Sequence, residues 1–426
     1  MKTYLVGGAV RDALMGLPVC DRDFVVVGSS PQEMLAAGFL QVGKDFPVFL
    51  HPQSREEYAL ARTERKTAPG YSGFAVHAAP DVTLEQDLAR RDLTINSIAV
   101  CADSISSSGL FASENSALID PYHGQRDIAN KTLRHVTSAF REDPVRILRV
   151  ARFAARFTDF NVAPETMALM REMVLGGEAS TLVAERIWQE LSRGLMEAQP
   201  SRMFAVLRES GALKVLLPEV DALFGVPQRA DYHPEIDTGV HVMMVLNMAA
   251  QLGATLPVRW ACLMHDLGKA TTPKDLLPRH LGHEDRSAKL AKTVAERLRV
   301  PTDCKELADV VAREHGNIHQ SAAFGPAATV RLLERCDAFR KPARFAEALW
   351  ACECDARGRL GLQHTPYPQR PKLLQALTAA QEVATDAIAA NAVESGSTGP
   401  MVGQAIHAAR VEAVANIAQA KTSEKL

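Results

Sequence analysis

The stretch that decides the fold lies at the start of the chain, where residues 4–23 read YLVGGAVRDALMGLPVCDRD. Its first three residues favour a strand, Gly7 and Gly8 follow directly, and the next seven favour a short helix that Gly16 closes. Glycines at such a turn let the backbone approach a phosphate group closely, and the free N–H groups of a helix start favour an anion. The stretch therefore predicts a phosphate-binding turn; a tight corner without a ligand is the alternative.

A pair of carboxylates stands a short distance beyond this turn. Asp21 and Asp23 flank Arg22 at the predicted start of the second strand, where alternate side chains point to the same face. Two carboxylates on one face repel each other unless a cation lies between them, and Mg²⁺ takes such oxygen ligands together with substrate phosphates. Arg11, one turn into the preceding helix, could add a charge-assisted contact to a triphosphate. This order is typical of a polymerase-type palm; a solvated turn is the alternative.

A third cluster lies at residues 90–96, which read RRDLTIN. It places two guanidiniums beside a carboxylate and an amide. We predict that Arg91 binds a triphosphate, and that Asp92 and Asn96 hold the ribose or orient Arg91. An ion cluster on the surface of a helix is the alternative.

A fourth cluster opens a predicted helix, with Asp143 before Pro144 and with Arg146 and Arg149 on one face. Cytosine and adenine both present an amino donor beside a ring-nitrogen acceptor, so a carboxylate and a guanidinium can pair with either base. Uracil and guanine reverse this pattern, which costs on the order of 1–3 kcal/mol for each mispaired group in a closed site. We predict that Asp143 and Arg146 select C and A without a template; the alternative is that Asp143 only caps the helix.

The composition of the 426 residues restricts the class of protein. The length suits two to four domains, and a net charge of −2 means that any nucleic-acid surface is a local patch. Residues 134–156, with six arginines, provide such a patch. The seven cysteines form no CxxC pair, which argues against a zinc finger and a disulfide framework. Because no signal peptide or membrane-spanning apolar run is visible either, we expect a cytoplasmic protein.

The organisation changes along the chain. Short β-like runs mix with helices up to residue 137, whereas helical periodicity dominates afterwards. The predicted domains are residues 1–137, 138–225, 226–365 and 366–426. The predicted strands are residues 4–6, 24–27, 47–50 and 58–61, and a Ser-rich surface loop is predicted at 103–109.

The second half of the chain is rich in histidine. His241 lies on a predicted helix, and the string His265-Asp266-Leu267-Gly268-Lys269 follows it. An adjacent imidazole and carboxylate can bind one metal ion together with a histidine from the preceding helix. Further candidates, as ligands or as phosphate contacts, are His283 and His315, and a final aspartate is open among Asp309, Asp337 and Asp355.

Taken together, the motifs between residues 7 and 149 resemble the superfamily of class II tRNA nucleotidyltransferases and bacterial poly(A) polymerases. The motifs are, in order, Gly7-Gly8-x-Val10-Arg11-Asp12, Asp21-x-Asp23, Arg90 to Asn96, Asp120-Pro121-x-x-Gly124-x-x-Asp127 and Glu142-Asp143-Pro144-x-Arg146-x-Leu148-Arg149. The resemblance implies an α+β head with a polymerase-beta-like palm, followed by an all-α neck and body. It also implies the site residues: Asp21 and Asp23 for the catalytic Mg²⁺, Gly8, Arg11 and Arg91 for the incoming nucleotide, and Asp143, Arg146 and Arg149 for the protein-side template.

The histidine-rich half resembles an α-helical HD-type metal-dependent phosphohydrolase, with His241, His265 and Asp266 as metal ligands. An HD domain fused to such a head resembles the long bacterial form of the CCA-adding enzymes. That resemblance implies addition of CCA to the tRNA 3′ end from CTP and ATP. At the HD site it implies 2′,3′-cyclic phosphodiesterase, 2′-nucleotidase and phosphatase activities with Ni²⁺ or another transition metal. We expect a monomer or homodimer.

Three other functions compete with this interpretation. A poly(A) polymerase shares the palm, but the fused HD domain and the absence of a long basic tail argue against it. An HD phosphohydrolase with an inactive palm is opposed by the intact pair Asp21 and Asp23. A tRNA-binding module without chemistry would bind tRNA and incorporate neither nucleotide.

Overall fold

The computed structural model describes residues 1–42, 48–66, 74–104 and 118–423. These form two compact units, of which the first comprises residues 1–194 and 202–216 and the second residues 195–201 and 217–426. The four-part division expected from the sequence stays a prediction. Of the predicted loop at 103–109, residues 105–109 lie outside the described residues.

The first unit contains a mixed sheet with helices packed on it. Its strands are β1 Lys2–Val6, β2 Asp23–Val27, β3 Leu40–Val42, β4 Val48–Leu50, β5 Glu57–Leu60, β6 Thr63–Lys66, β7 Phe74–His77, β8 Ala99–Cys101, β9 Leu118–Ile119, β10 Thr132–Leu133 and β11 Asn161–Val162. Seven of them form one sheet in the order β3-β4-β5-β2-β1-β8-β9, while β6 pairs with β7 and β10 with β11. The four predicted strands are confirmed as β1, β2, β4 and β5, with ends that shift by one or two residues.

The register of the central strands positions the site. β1 and β2 are antiparallel, so Val6, the last residue of β1, lies opposite Asp23, the first residue of β2. On its other side Val6 lies opposite Ala99 of β8. Gly7 therefore follows β1 at the same edge of the sheet at which Asp23 begins β2. Alternation buries Leu5 on one face and Val6 on the other, so both faces of these strands are covered.

The helices of the first unit are α1 Gly8–Leu14, α2 Pro31–Ala36, α3 Leu84–Ala89, α4 Gly124–Ala129, α5 Val145–Arg156, α6 Pro164–Leu175, α7 Ala184–Leu195, α8 Ser201–Glu209 and α9 Ala212–Leu216. The short helix predicted after the glycine pair is confirmed as α1, and Gly16 behind it has a φ of 68°. One detail differs from the expected all-α neck: the two-residue strand β11 falls inside it and pairs in parallel with β10. Since an extended segment beside β10 can share its backbone hydrogen bonds, the pairing satisfies groups that a loop would leave open.

Apart from an isolated β-bridge between Pro227 and Asp237, the regular elements among the described residues of the second unit are helices. Its helices are α10 Pro218–Asp221, α11 Thr238–Gln251, α12 Leu256–Met264, α13 His283–Arg297, α14 Thr302–Gln320, α15 Pro326–Arg335, α16 Pro342–Arg357, α17 Gln369–Gln381, α18 Thr385–Glu394 and α19 Gly399–Ser423. The central helix α12 packs against α11, α14 and α16, and its Trp260 is fully buried. The expected order of an α+β part followed by helices is confirmed. Within the described ranges no helix combines the length and the apolar character that crossing a bilayer requires.

Candidate functional site

One cleft of about 1000 Å³ in the first unit collects the predicted nucleotide-transfer residues. Ten arginines and seven carboxylates line it, so the cleft combines an excess of positive charge with acidic groups. The predicted residues that line it are Gly8, Arg11, Asp21, Asp23, Arg91, Asp143, Arg146 and Arg149. Residues that are far apart in sequence therefore share one concave surface of the size that ligand sites have.

The turn before α1 depends on Gly7 more than on Gly8. Gly7 has a φ of 74°, which an L side chain rarely adopts, and a Cβ built there would lie 3.0 Å from Nη1 of Arg91. A Cβ at Gly8 would meet only Nη2 of Arg11, at an ordinary 3.5 Å. The close approach of Arg91 to the backbone is what requires glycine at this turn.

Asp21 and Asp23 both line the cleft, but the strand geometry accounts for the position of Asp23 only. β2 begins at Asp23, so Asp21 and Arg22 precede the strand and are not held by its alternation. Arg22 lies outside the cleft lining, 4.0 Å from a carboxylate oxygen of Glu56. Burial raises the pKa of Asp23 above its ordinary value, an effect that Arg91 opposes and Asp21 increases. The nearby carboxylate of Asp21 disfavours the charged form of Asp23, and a cation between the two carboxylates would remove this repulsion. The pair therefore fits as ligands of Mg²⁺.

Arg11 is buried inside a network. Its Nε donates to Asp12 at 2.8 Å and its Nη1 donates to Asn96 at 2.5 Å. Its guanidinium also lies 5.1 Å from the ring centroids of both Phe153 and Phe157 on and beside α5. These contacts fix the guanidinium at the wall of the cleft, where the charge can act on an anion.

The side chains of residues 90–96 have hydrogen-bond and ion-pair partners that differ from the expected ones. Arg91 is paired with Asp87, at 3.2 Å, whereas Asp92 accepts from Nε of Arg149 at 2.7 Å and from Asn96 at 3.0 Å. The orientation of Arg91 by Asp92 and Asn96 that the spacing suggested is therefore replaced by an ion pair with Asp87. Asp87 and Arg91 are one helical turn apart, a spacing that brings two side chains to the same face of a helix. The sequence therefore contained a signal for this ion pair. Burial alone would raise the pKa of Asp92, but Arg149, Asn96 and Arg146 together outweigh burial and lower it.

Asp143 has a partner that the sequence did not predict. Both carboxylate oxygens of Asp143 accept from Arg186 on α7, at 3.0 and 2.7 Å, and one of them also accepts from the backbone N–H of Val145 at 3.1 Å. Nη1 of Arg146 donates to the carbonyl of Ala139 at 2.8 Å. Asp143 thus contacts the start of α5, as expected for a residue that caps the helix. It also forms an ion pair with Arg186 through both carboxylate oxygens. No spacing rule links Asp143 to Arg186, so sequence reasoning missed this partner.

The basic stretch at residues 134–156 is largely paired with acidic groups. Its ion pairs are Arg134 with Asp127 and Glu165, Arg141 with Glu172, Arg149 with Asp92, Arg152 with Glu190, and Arg156 with Asp12. The stretch is therefore less positive than its sequence suggests, and several of its arginines serve the architecture of the cleft.

The second unit brings together His241, His265 and Asp355, whose ligand atoms lie within 4.8 Å of one another. Nε2 of His241 is 3.0 Å from Oδ1 of Asp355, and Nε2 of His265 is 3.9 Å from Oδ2. All three residues are buried. Of the three candidate aspartates, Asp355 is therefore the one that lies with these histidines, whereas Asp309 and Asp337 form ion pairs elsewhere.

The predicted ligand Asp266 lies beside this group. Its Oδ2 is 3.2 Å from Nε2 of His265 and 2.7 Å from Nζ of Lys269. Nε2 of His265 and Oδ1 of Asp266 are buried and make no hydrogen bond within the described residues. Buried imidazole nitrogens and carboxylate oxygens are the donor set that a transition metal takes, so these residues fit the expected metal centre.

Sequence reasoning missed the residues that hold these ligands. Nδ1 of His241 is 2.8 Å from a carboxylate oxygen of Glu235, and His319 contacts Asp355 at 2.6 Å. The hydroxyl of Tyr367 is 2.9 Å from Nδ1 of His319. Such partners orient metal ligands and fix the tautomers of the imidazoles. The four-residue spacing of His315 and His319 on α14 was a signal that could have found one of them.

Known protein families match three segments of the chain. Residues 3–134 match the "Poly A polymerase head domain", residues 159–224 the "Probable RNA and SrmB- binding site of polymerase A", and residues 238–355 the "HD domain". The segment that matches the HD domain includes His241 near its start and Asp355 at its end.

Curated relatives and solved structures agree with these matches. The chain is 71% identical over 420 residues to the multifunctional CCA protein of Polaromonas naphthalenivorans, covering 99% of each chain. It is 69% identical to that of Variovorax paradoxus, covering 97% of this chain and 99% of the relative. The crystal structure of the Bacillus stearothermophilus CCA-adding enzyme in complex with CTP has the same fold, with a TM-score of 0.63 at 20% identity over 99% of this chain and 94% of that one. The resemblance expected from the motifs is confirmed, and the chain belongs to the family of multifunctional CCA proteins.

Proposed function

We propose that this chain adds CCA to the 3′ end of tRNA from CTP and ATP without a nucleic-acid template. The observation that carries the proposal is the single cleft in which the carboxylate pair, the Gly7 turn and the base-reading candidate Asp143 meet. The names of its relatives support the same activity. We also propose a cytoplasmic location, because tRNA and both nucleotides occur there.

In this proposal Asp21 and Asp23 hold Mg²⁺, which supplies charge neutralisation at the attacking and leaving oxygens. The 3′-hydroxyl oxygen of the tRNA loses its proton to solvent and bonds to the α-phosphorus of the nucleotide, and the bond from that phosphorus to the departing pyrophosphate breaks. Arg11 and Arg91, held by Asp12 and Asp87, bind the triphosphate. Since their partners fix both guanidiniums beforehand, they need little reorganisation when the nucleotide binds.

Base selection is proposed for the carboxylate of Asp143 and the guanidinium of Arg146, which line the same cleft. Asp143 accepts from the amino group of C or A, and Arg146 donates to the neighbouring ring nitrogen. Arg186 orients the carboxylate through its two hydrogen bonds. Against U or G, the carboxylate meets a carbonyl oxygen, and the resulting repulsion rejects the base.

The second unit is proposed to act as a metal-dependent phosphohydrolase with 2′,3′-cyclic phosphodiesterase, 2′-nucleotidase and phosphatase activities. His241, His265, Asp266 and Asp355 would hold Ni²⁺ or another transition metal, which supplies the activation of water for hydrolysis. Damaged tRNA ends that carry cyclic phosphates cannot accept a nucleotide, so their hydrolysis would prepare substrate for the first site. Lys269, which contacts Asp266 at 2.7 Å, supplies a positive charge next to these ligands.

The deciding experiment offers purified protein with Mg²⁺ a tRNA transcript that lacks its last three nucleotides. Labelled CTP, ATP, UTP and GTP are supplied singly and together, and the products are resolved to one nucleotide. Addition of C, C and one A, lost in Asp21→Ala, is the expected result. A long A ladder without a CTP requirement would instead indicate poly(A) polymerase. Binding of tRNA without any incorporation would indicate a binding module.

The HD activity is tested on the same protein with a tRNA that ends in a 2′,3′-cyclic phosphate. We expect Ni²⁺-dependent opening of the cyclic phosphate, lost in His265→Ala and retained in Asp21→Ala. Hydrolysis that survives His265→Ala would contradict the proposed metal centre.

A further inference from the structure

An exposed aromatic side chain lies beside the HD site. Tyr232 belongs to the loop between α10 and α11, and 57% of its surface is accessible to solvent. The guanidinium of Arg229 lies over its ring, 5.0 Å from the ring centroid. Arg229 therefore contacts the ring while more than half of the residue stays open to a ligand. Exposed aromatic rings with arginines beside them are the surfaces on which proteins stack the bases of single-stranded nucleic acids.

Two contacts connect the loop of Tyr232 to the proposed metal ligands. The carbonyl oxygen of Tyr232 accepts from Nη1 of Arg359 at 3.4 Å, and Nη2 of the same arginine is 3.7 Å from Oδ1 of Asp355. The next residue along the chain, His233, has its ring centroid 4.6 Å from that of His241. One side chain thus separates the backbone at Tyr232 from each of these ligands. A nucleotide whose phosphate lies at the metal centre can therefore place its base against this loop.

Two further apolar side chains are exposed near Tyr232. They are Ile236 and Leu360, which are 49% and 53% exposed. The backbone N–H of Leu360 donates to Oε2 of Glu235, the residue before Ile236, at 3.2 Å, so the two segments are adjacent. Ile236 also has a φ of 61°, a left-handed conformation that is strained for a β-branched residue. Backbone strain and uncovered apolar surface at one place are both typical of a binding site.

We propose that Tyr232, with Ile236 and Leu360 beside it, stacks the terminal nucleobase of the RNA whose phosphate is hydrolysed at the HD site. This inference rests on the proposed hydrolase function and adds a base subsite to it. Stacking accepts every base, because each base has a π face. The subsite therefore favours nucleotides over other phosphate esters without selecting one base. This suits a hydrolase for damaged tRNA ends, because ends shortened by different lengths present different last bases.

The test compares two substrates that differ only in the base. Adenosine 2′,3′-cyclic phosphate carries the base, and methyl ribofuranoside 2′,3′-cyclic phosphate has a methoxy group in its place. The full chain is loaded with Ni²⁺, and kcat and KM are measured for both substrates. We expect Tyr232→Ala to raise KM for the adenosine substrate roughly 10- to 100-fold, with the KM of the base-free substrate unchanged. Tyr232→Phe keeps the aromatic ring and should keep the low KM.

A binding measurement tests the subsite separately from hydrolysis. Full-length protein loaded with Zn²⁺ is mixed in a stopped-flow fluorimeter with 2-aminopurine riboside 2′,3′-cyclic phosphate, whose fluorescence is quenched when its base stacks on an aromatic ring. We expect rapid quenching with the original protein and with Tyr232→Phe, and its loss in Tyr232→Ala. Val393→Ala is the matched control, because Val393 is an exposed apolar residue on α18, and it should match the original protein. Thermal unfolding verifies that each variant is folded.

The outcomes separate this inference from the proposed function. An equal rise in KM for both substrates in Tyr232→Ala would show that Tyr232 only supports its loop, and this overturns the subsite while the hydrolase stands. An unchanged KM for the adenosine substrate, or quenching that survives in Tyr232→Ala, overturns the subsite as well. If the original protein hydrolyses neither substrate, the proposed hydrolase is wrong, and quenching that depends on Tyr232 still supports the base subsite.

Discussion

Both terminal nitrogens of Arg186 donate to the carboxylate of Asp143, at 3.0 and 2.7 Å, although 43 residues separate the two in sequence. The pair joins α7 to the start of α5, within the cleft. A planar guanidinium that holds both oxygens fixes the plane of the carboxylate as well as its position. The direction in which Asp143 can accept a hydrogen bond from a base is thereby set by a residue on another helix.

The first prediction concerns this pair. Arg186→Lys keeps the positive charge and loses the two-pronged geometry, so the carboxylate of Asp143 can rotate. We expect incorporation of UTP relative to CTP to rise on the order of 10- to 100-fold, which corresponds to about 1–3 kcal/mol for a mispaired polar group. The measurement is kcat/KM for each nucleotide on the truncated transcript.

Arg171→Lys is the matched control for this prediction, because Arg171 pairs with Glu209 on an exposed surface outside the cleft lining. It should leave nucleotide discrimination unchanged. Equal loss of activity with all nucleotides in Arg186→Lys, without a change in discrimination, would show that Arg186 only supports the fold.

The second prediction concerns the turn before α1. Gly7→Ala forces an L side chain to a φ of 74° and places a Cβ 3.0 Å from Nη1 of Arg91. The backbone strain costs roughly 1–2 kcal/mol, and the displaced guanidinium weakens triphosphate binding. We expect a lower melting temperature and a raised KM for both nucleotides. Gly16→Ala separates the two effects, because its φ is 68° and a Cβ there meets nothing within 4 Å. It should lower the melting temperature without changing KM.

The third prediction concerns the charge on Asp23. Its raised pKa means that the folded chain binds this proton more tightly than the unfolded chain. The carboxylate therefore destabilises the fold increasingly as the pH rises through the folded pKa. In Mg²⁺-free buffer at neutral pH, Asp23→Asn should melt at the same temperature as the original protein or higher. Added Mg²⁺ should raise the melting temperature of the original protein and leave the variant unchanged. A variant that melts lower without Mg²⁺ would contradict the stated origin of the shift.

The fourth prediction concerns Glu235, which lies 2.8 Å from Nδ1 of His241. A carboxylate at this position orients the ring and raises the basicity of Nε2, and loss of such a partner costs metal sites about 10- to 100-fold in affinity. Glu235→Gln should weaken Ni²⁺ binding by this factor and slow hydrolysis of the cyclic phosphate, with CCA addition unaffected. Competition with a chromophoric chelator measures the affinity. Glu219→Gln, whose carboxylate pairs with Arg297, is the control and should bind Ni²⁺ normally.

Local signals identified most of the elements that build the first site. The strand, glycine pair and helix at residues 4–15 are contiguous, so their backbone preferences can be read from neighbouring residues. The same holds for the carboxylates at Asp21 and Asp23, although β2 holds only the second. For the HD domain, the string at residues 265–269 was enough to indicate a metal-binding type.

The sequence by itself determined the types of chemistry, because glycine at a strand–helix turn, paired aspartates and an adjacent His-Asp each restrict function through short-range geometry. Only the tertiary structure decided the partners that are distant in sequence: Arg186 for Asp143, and Asp355 rather than Asp309 or Asp337 for the histidines. Most of these partners lie on different helices, and no periodicity relates positions on separate helices. Their distance in space depends on how the helices pack, and packing is a property of the whole core rather than of any local stretch.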